Sequence, residues 1–498
     1  MRLLRTIGWT LLVVACGAPA PEAPPAPAAV AFTQPPLRAL APAPRAPEVC
    51  LDDADAALDA RLALDAVWAF DPVAGSMAQR GLGGPSSSPQ APVARRILTH
   101  SPETLRAGLA RYLTAQGDNP GVRTAALVTY AGDGESCAWL MSADGVAAYG
   151  RSSVGADDVR ADVARVLEIL DVRGAMNARA PRLRSDATAS AAGDLPALDV
   201  GALATALAHV AETATPAPVA AALGAFDSLI IVPHEGLLAF PALLLTAGRA
   251  EGPPVYLIDR VSLQIAPSLS EIGIGPGLHR SADADLATMT PQDRRAALAR
   301  ALIVGDPAYD DAEYAMPPLP GAAQEAEAVA QILGASALVG AAATWPAVQA
   351  RLQERPRYIH FATHGLSDGE GASHADNRSF LALAGGGRFT AGDARATRMR
   401  DGAIVVLSAC QSGLGASRPG GIVGLPRAFQ LAGAQTVVMS LWNVDDAATG
   451  DLMRGFAQRL AETGRPASSF AAAVRDTRTR HPDPRHWAAF AMFGVARP

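Results

Sequence analysis

The chain has 498 residues, too many for one ordinary domain and, at about 150 residues per domain, enough for roughly three. Its 42 Lys and Arg against 48 Asp and Glu leave a formal net charge of −6, so it advertises no basic surface for nucleic acid, while 49% hydrophobic residues suffice to fill large cores. The four cysteines, Cys16, Cys50, Cys137 and Cys410, stand far apart with no C-x-x-C spacing. That argues against a disulfide framework and against a zinc site; a Cys50–Cys137 bridge stays open for an oxidising compartment.

Residues 1–16 place Arg2 and Arg5 before the apolar run Ile7 to Ala15 and end on Cys16. A basic start with so short an apolar run is a secretory signal and not a membrane span. The ending Val13-Val14-Ala15-Cys16 resembles a bacterial lipobox, in which the cysteine becomes the lipidated first residue. The alternative is an ordinary signal peptide cut near Ala18 or Ala20. The expected location is therefore the cell envelope, lipid-anchored through Cys16 and facing the periplasm or the surface, with secretion as the alternative. Residues 17–50, rich in Ala and Pro, read as an extended linker.

Residues 51–120 form a helical region with stretches at Asp55 to Phe70 and Ser101 to Gln116. Ser101 is placed as an N-cap before Pro102, and Leu105, Leu109 and Leu113 share one face. No period of about 34 residues marks a tetratricopeptide array. A first α/β unit, 121–276, opens with paired strands at Ala125 to Thr129 and Cys137 to Met141, continues through helices at Asp157 to Leu170 and Val200 to Glu212, and reaches a buried strand at Ser228 to Pro233. His234 follows that strand and reads as a loop-capping histidine. A polar, helical connector, 277–299, leads to a second unit, 300–498.

The second unit alternates strand and helix: Ala301 to Pro307, Ala322 to Leu333, Ala337 to Val339, and Thr344 to Gln353 with Thr344 as N-cap. Two apolar runs follow, Tyr358 to Ala362 and Ile404 to Leu407, each ending in a reactive side chain: Thr363-His364-Gly365 and Ser408-Ala409-Cys410. In a parallel sheet both would deliver their side chains to one rim, although 46 residues (410 − 364) separate them. Alternation places His360 on the face of His364, as a supporting histidine. Gly385-Gly386-Gly387 lacks phosphate-loop spacing and reads as a hairpin turn, so no cofactor is called for. Gly413, Gly415, Gly420 and Gly421, with Ser417 and Pro419, read as a mobile loop, ordered by substrate or processed. A helix near Val423 to Ala432, a strand Thr436 to Leu441, helices Ala447 to Glu462 and Ser468 to Arg478, and the apolar Trp487 to Phe493 complete the unit.

The sequence resembles the CHAT domain family, bacterial relatives of caspases and separase. The resemblance rests on Ile359-His360-Phe361-Ala362-Thr363-His364-Gly365, on Leu407 to Gly413, on Gly424 to Phe429 with Leu431 to Ala434, on Ser440 to Asp446, and on His486 to Phe490. It implies an α/β fold of two tandem caspase-like units with mainly parallel sheets flanked by helices, the second carrying the dyad. It further implies a cysteine endopeptidase acting on a protein partner: Cys410 as nucleophile, His364 as its acid/base, and the backbone N–H groups of Gly365 and Cys410 as oxyanion hole. The segment through Asp445 and Asp446 is similar to the one that gives separases an acid in the pocket for the basic residue before the cut. The simplest division gives Asp446 the helix cap and Asp445 the pocket. The alternatives are a catalytically silent interaction module on the same fold and, more weakly, acyl transfer on a small substrate.

Overall fold

Runs such as Ile359 to Ala362 and Ile404 to Leu407 carry no polar alternation, so only burial on both faces accommodates them. In the computed structural model they become neighbouring strands, every residue of both buried. The structure describes residues 48–68, 101–117, 121–172, 196–248, 253–266, 268–269, 272, 286–310, 316–366, 379–409, 416–418, 421–423, 425–442 and 444–495. The expected signal with Cys16, the linker as far as residue 47, Cys410, Gly413, Gly415, Pro419 and Gly420 lie outside these residues.

The first half comprises α1 (Ala54–Trp68), α2 (Pro102–Gly117), β1 (Thr124–Ala131), β2 (Ser136–Ser142), β3 (Gly145–Ser152), α3 (Ala156–Ile169), α4 (Val200–Ala214), α5 (Ala217–Ala222), β4 (Ser228–Val232) and β5 (Ser262–Ile265). After α6 (Pro291–Leu298) the second half runs through β6 (Leu302–Pro307), α7 (Pro320–Leu333), β7 (Ala337–Gly340), α8 (Trp345–Gln353), β8 (Tyr358–Thr363), β9 (Gly365–Leu366), β10 (Phe380–Ala382) and β11 (Arg388–Thr390). It continues with α9 (Ala391–Ala396), β12 (Ala403–Ala409), β13 (Ala416–Arg418), β14 (Gly421–Val423), α10 (Leu425–Leu431), β15 (Ala434–Ser440), α11 (Asp446–Thr463), α12 (Pro466–Arg480) and β16 (Phe490–Gly494).

Eleven strands make a single sheet in the order β3-β2-β1-β4-β5-β16-β15-β12-β8-β6-β7. Most neighbours are parallel; β3/β2, β2/β1 and β16/β15 are antiparallel. The two expected sheets are thus one, joined where β16 pairs with β5 through Phe493 and Ile265. One core runs through both halves and includes Trp442 and Trp487, each at most 1% exposed.

The N-terminal helices cover the other face of β1 and β2. Trp139 donates its indole N–H to the Ala54 carbonyl at 3.0 Å, the buried Arg61 donates to the Thr129 carbonyl at 3.2 Å, and Tyr149 donates to the Leu51 carbonyl at 2.7 Å. Cys50 and Cys137 are joined by a disulfide, so the bridge left open by the sequence is formed.

Local signals were read well where capping chemistry is strong. Ser101 accepts from Thr104 N at 3.3 Å ahead of α2, and Thr344 accepts from Ala347 N at 3.4 Å ahead of α8. The glycine run after β10 turns the chain with Gly385 and Gly386 at φ 65° and 71°, and β11 pairs back antiparallel. Within the glycine-rich stretch after Cys410, β13 and β14 form a short antiparallel pair.

Candidate active site

Register builds the site. Thr363 pairs with Ala409 at the carboxyl ends of the parallel strands β8 and β12. His364 therefore follows directly on this last pair, on a strand about 4.8 Å from the one that ends, within the described residues, at Ala409. Cys410 itself lies outside the described residues. On the far side of β12, Ser440 at the end of β15 donates its hydroxyl to the Ala409 carbonyl at 2.9 Å, which brings the segment leading to Asp445 and Asp446 to the same rim.

His364 is completely buried. Its Nε2 lies 2.8 Å from the Pro317 carbonyl oxygen. A carbonyl only accepts, so Nε2 carries the proton, and in the neutral ring Nδ1 carries the lone pair. The Tyr309 ring packs on the imidazole at 4.7 Å between centroids. Thr363 spends its hydroxyl proton on the Ala382 carbonyl at 2.8 Å, so at 3.2 Å the Tyr309 hydroxyl is the donor to Thr363 Oγ1. Neither Pro317 nor Tyr309 stands out in the sequence; both precede α7 in a segment without periodicity.

Gly365 opens β9, which pairs with β10. Because Ala382 N donates to the His364 carbonyl at 2.9 Å, Ala382 and His364 form a hydrogen-bonded pair. The next antiparallel pair, Gly365 opposite Leu381, is then the non-bonded kind, and the Gly365 N–H points away from β10.

His360 keeps the supporting place expected of it. Its Nε2 lies 2.7 Å from Glu325 Oε1 and its Nδ1 3.2 Å from the Tyr358 hydroxyl, with His360 and Glu325 both at 0% exposure. Burial, reinforced by the Glu325 carboxylate, pushes the Tyr358 phenol far above its ordinary range. The other strand-end histidine, His234, caps β1: its ring Nδ1 accepts from Ala131 N at 3.3 Å and its backbone N–H donates to Thr129 Oγ1 at 3.1 Å. Burial and the nearby Arg61 cation lower it to about 3, so it stays neutral.

The division between the two aspartates needs correcting. Asp445, not Asp446, is the N-cap of α11, accepting from Ala447 N and Ala448 N at 3.0 Å each. Both bonds fall on Oδ1, and Oδ2 takes no hydrogen bond from a described residue. Asp446 lies in the first turn of α11, its carboxylate against Gly321 at the start of α7, where a Cβ would come within 2.3 Å of Oδ2. An N-cap needs the residue whose own backbone is still extended, and the sequence placed that boundary one residue too late.

The chain is similar to several known proteins. Tetratricopeptide repeat protein 28 of Mus musculus is 26% identical over 310 residues, a match covering 55% of this chain and 12% of that protein. The Saccharomyces cerevisiae separase–securin complex contains a chain 10% identical, with a TM-score of 0.51, that covers 90% of this chain and 34% of its own. The Arg specific cysteine proteinase gingipain R of Porphyromonas gingivalis is 11% identical with a TM-score of 0.36, covering 66% of this chain and 73% of that one. This chain thus spans about an eighth of the curated relative's length and a third of the separase chain's. The CHAT domain model matches residues 204–495, more than half of the chain, and includes both β8 with His364 and β12 with the segment to Cys410. With its mainly parallel sheet flanked by helices and a histidine held at the rim beside β12, the chain belongs to the CHAT domain family.

Proposed function

We propose that the protein is a cysteine endopeptidase that cuts a partner protein after a basic residue. The observation that supports this reading is the pairing of Thr363 with Ala409, which puts side by side the ends of the two strands that lead in sequence to His364 and Cys410. His364 Nδ1 takes the thiol proton, the Cys410 thiolate attacks the scissile carbonyl, and a C–S bond forms. The imidazolium returns its proton to the leaving amine as the C–N bond breaks, and water then hydrolyses the thioester. The backbone N–H groups of Gly365 and Cys410 receive the oxyanion; the orientation of Gly365 away from β10 supports its part. Asp445 and Asp446 form the negative wall for the basic side chain, supported by their place beyond β15 and by the open Oδ2 of Asp445. We further infer work outside the cytoplasm, held to a membrane through Cys16 alone; the Cys50–Cys137 disulfide supports an oxidising compartment.

The test is a mixed peptide library given to the wild-type chain, Cys410→Ala and His364→Ala. Cleavage after Arg or Lys, lost in both variants, is expected. Cleavage that survives Cys410→Ala refutes the nucleophile, a profile dominated by acidic or apolar residues refutes the pocket, and silence of the wild type replaces the peptidase by an interaction module.

A further inference from the structure

We propose that Glu325, His360 and Asp306 are positioning residues whose task is to hold the Pro317 carbonyl against His364, and so to fix the tautomer of the dyad histidine. The proposal rests on the peptidase reading only for its kinetic consequence; the positional claim stands on geometry alone.

The face of β8 that carries His360, Ala362 and His364 lies under α7 and the residues leading into it, making three successive contacts. Pro317 meets His364 through the 2.8 Å hydrogen bond, Leu319 and Ala322 pack on Ala362, and Glu325 meets His360 at 2.7 Å. From His360 to His364 the strand advances about 13 Å. The rise of α7 from Pro320 to Glu325 covers about 7.5 Å of that, and the turned Pro317–Leu319 segment covers the remainder. The two polar contacts thus close a frame at both ends. A slip of α7 by one residue would carry its groups about 1.5 Å along the strand, enough to break either bond.

Apolar contacts alone do not resist such a slip. Ala322 and Leu319 against Ala362 would pack nearly as well after a small slide, because dispersion is not directional. A carboxylate and an imidazole with no exposure to water have no such freedom, since losing each other leaves a buried polar group unsatisfied. Close approach of the helix is allowed by Gly305 on β6, where a Cβ would lie 2.4 Å from Ala326 Cβ and 2.9 Å from the Ala322 carbonyl.

A second carboxylate fixes the other end of the frame. Asp306 Oδ1 accepts from Leu319 N at 2.7 Å, two residues from Pro317. Asp306 adopts φ 39°, a left-handed backbone that a non-glycine residue takes only at a cost. Its return is a fixed exit from β6 that aims its side chain at the start of α7. Both carboxylates therefore act on one carbonyl, through the chain and not by touching the reacting atoms.

The test uses the full chain labelled with 15N in its histidine rings, the His364 signals being assigned by their loss in His364→Ala. The wild type is expected to show His364 as a single Nε2–H tautomer. The double variant Glu325→Leu/His360→Leu replaces the pair by apolar side chains and leaves no orphaned charge. It is expected to convert His364 to a tautomer mixture and to lower kcat on a basic-site peptide about 10- to 100-fold, with KM within about twofold. Glu325→Gln, whose amide oxygen keeps an acceptor for His360, is expected to restore the single tautomer and most of kcat. Should the double variant not fold, Asp306→Gly, which suits the positive φ and removes only the acceptor for Leu319 N, serves in its place with the same expectation. An unchanged His364 tautomer in the folded variant overturns the proposal. The ring signals need no substrate, so absent cleavage by the wild type would refute the peptidase reading while leaving this claim to be decided by the spectra.

Discussion

Replacing both Cys50 and Cys137 by Ala should cost the scaffold about 4–5 kcal/mol. The bridge closes a loop of 87 residues, and the chain-entropy relation gives about 15 cal/mol/K returned to the unfolded chain when it is removed. Both cysteines are buried, at 0% and 1% exposure, in the small core between α1, α2 and the sheet. The loss should therefore fall first on the N-terminal helices, whose other ties to the sheet include their shared apolar core and the bonds made by Trp139, Arg61 and Tyr149. Urea unfolding at neutral pH, with and without reductant, measures the total. Amide exchange compares α1 and α2 with β8 and β12. Reductant should reproduce the variant's loss in the wild type and do nothing further to the variant. A double variant within about 1 kcal/mol of the wild type, with α1 and α2 equally protected, would refute the reasoning.

Substitutions at two further residues separate structural from chemical roles. His234, held to about 3 when folded by burial and Arg61, titrates near 6.5 when unfolded. Below that value the unfolded chain binds the proton first, so stability is retained above pH 6.5 and lost on acidification at about 1.4 kcal/mol per pH unit, reaching about 2 kcal/mol at pH 5. His234→Gln should remove that share of the difference between pH 7 and pH 5; an identical pH dependence in both proteins would contradict the assignment. Asp445→Asn keeps a good N-cap and removes the charge, so thermal stability should hold while cleavage after Arg falls at least tenfold. Asp445→Ala should in addition lose about 1 kcal/mol of stability, and undiminished Arg cleavage by the Asn variant would remove Asp445 from the pocket.

The sequence showed most plainly what depends on near neighbours. Tyr358 to Ala362, but for His360, and Ile404 to Leu407 are apolar, and their reactive ends made the rim legible before any fold was known. β3 went unseen because the apolar residues of Gly145–Ser152, Val146 to Tyr149, stand together without alternation and most of the strand is only partly buried. The merging of two sheets into one depends on Phe493 meeting Ile265, a pairing that no local pattern encodes. The surroundings of His364 were invisible for the same reason: Asp306 stands near the end of a strand-like run, and only the folded chain brings its carboxylate to Leu319 N. His360 was the intermediate case, its face readable by alternation and its partner Glu325 not.

The seam between β5 and β16 also sets an order of assembly. The chain emerges N-terminus first, and Ile265 precedes its partner Phe493 by 228 residues (493 − 265). At about 5–20 residues per second that is roughly 10–45 s. Throughout that interval β5 presents an open parallel edge, the kind of surface on which strands from other chains add. The helices that follow, and α12 in particular, which sends Arg475 to the Ile258 carbonyl just before β5, arrive before the strand that closes the gap. Helices that pack across the seam are thus synthesised before the strand that makes the two halves one sheet.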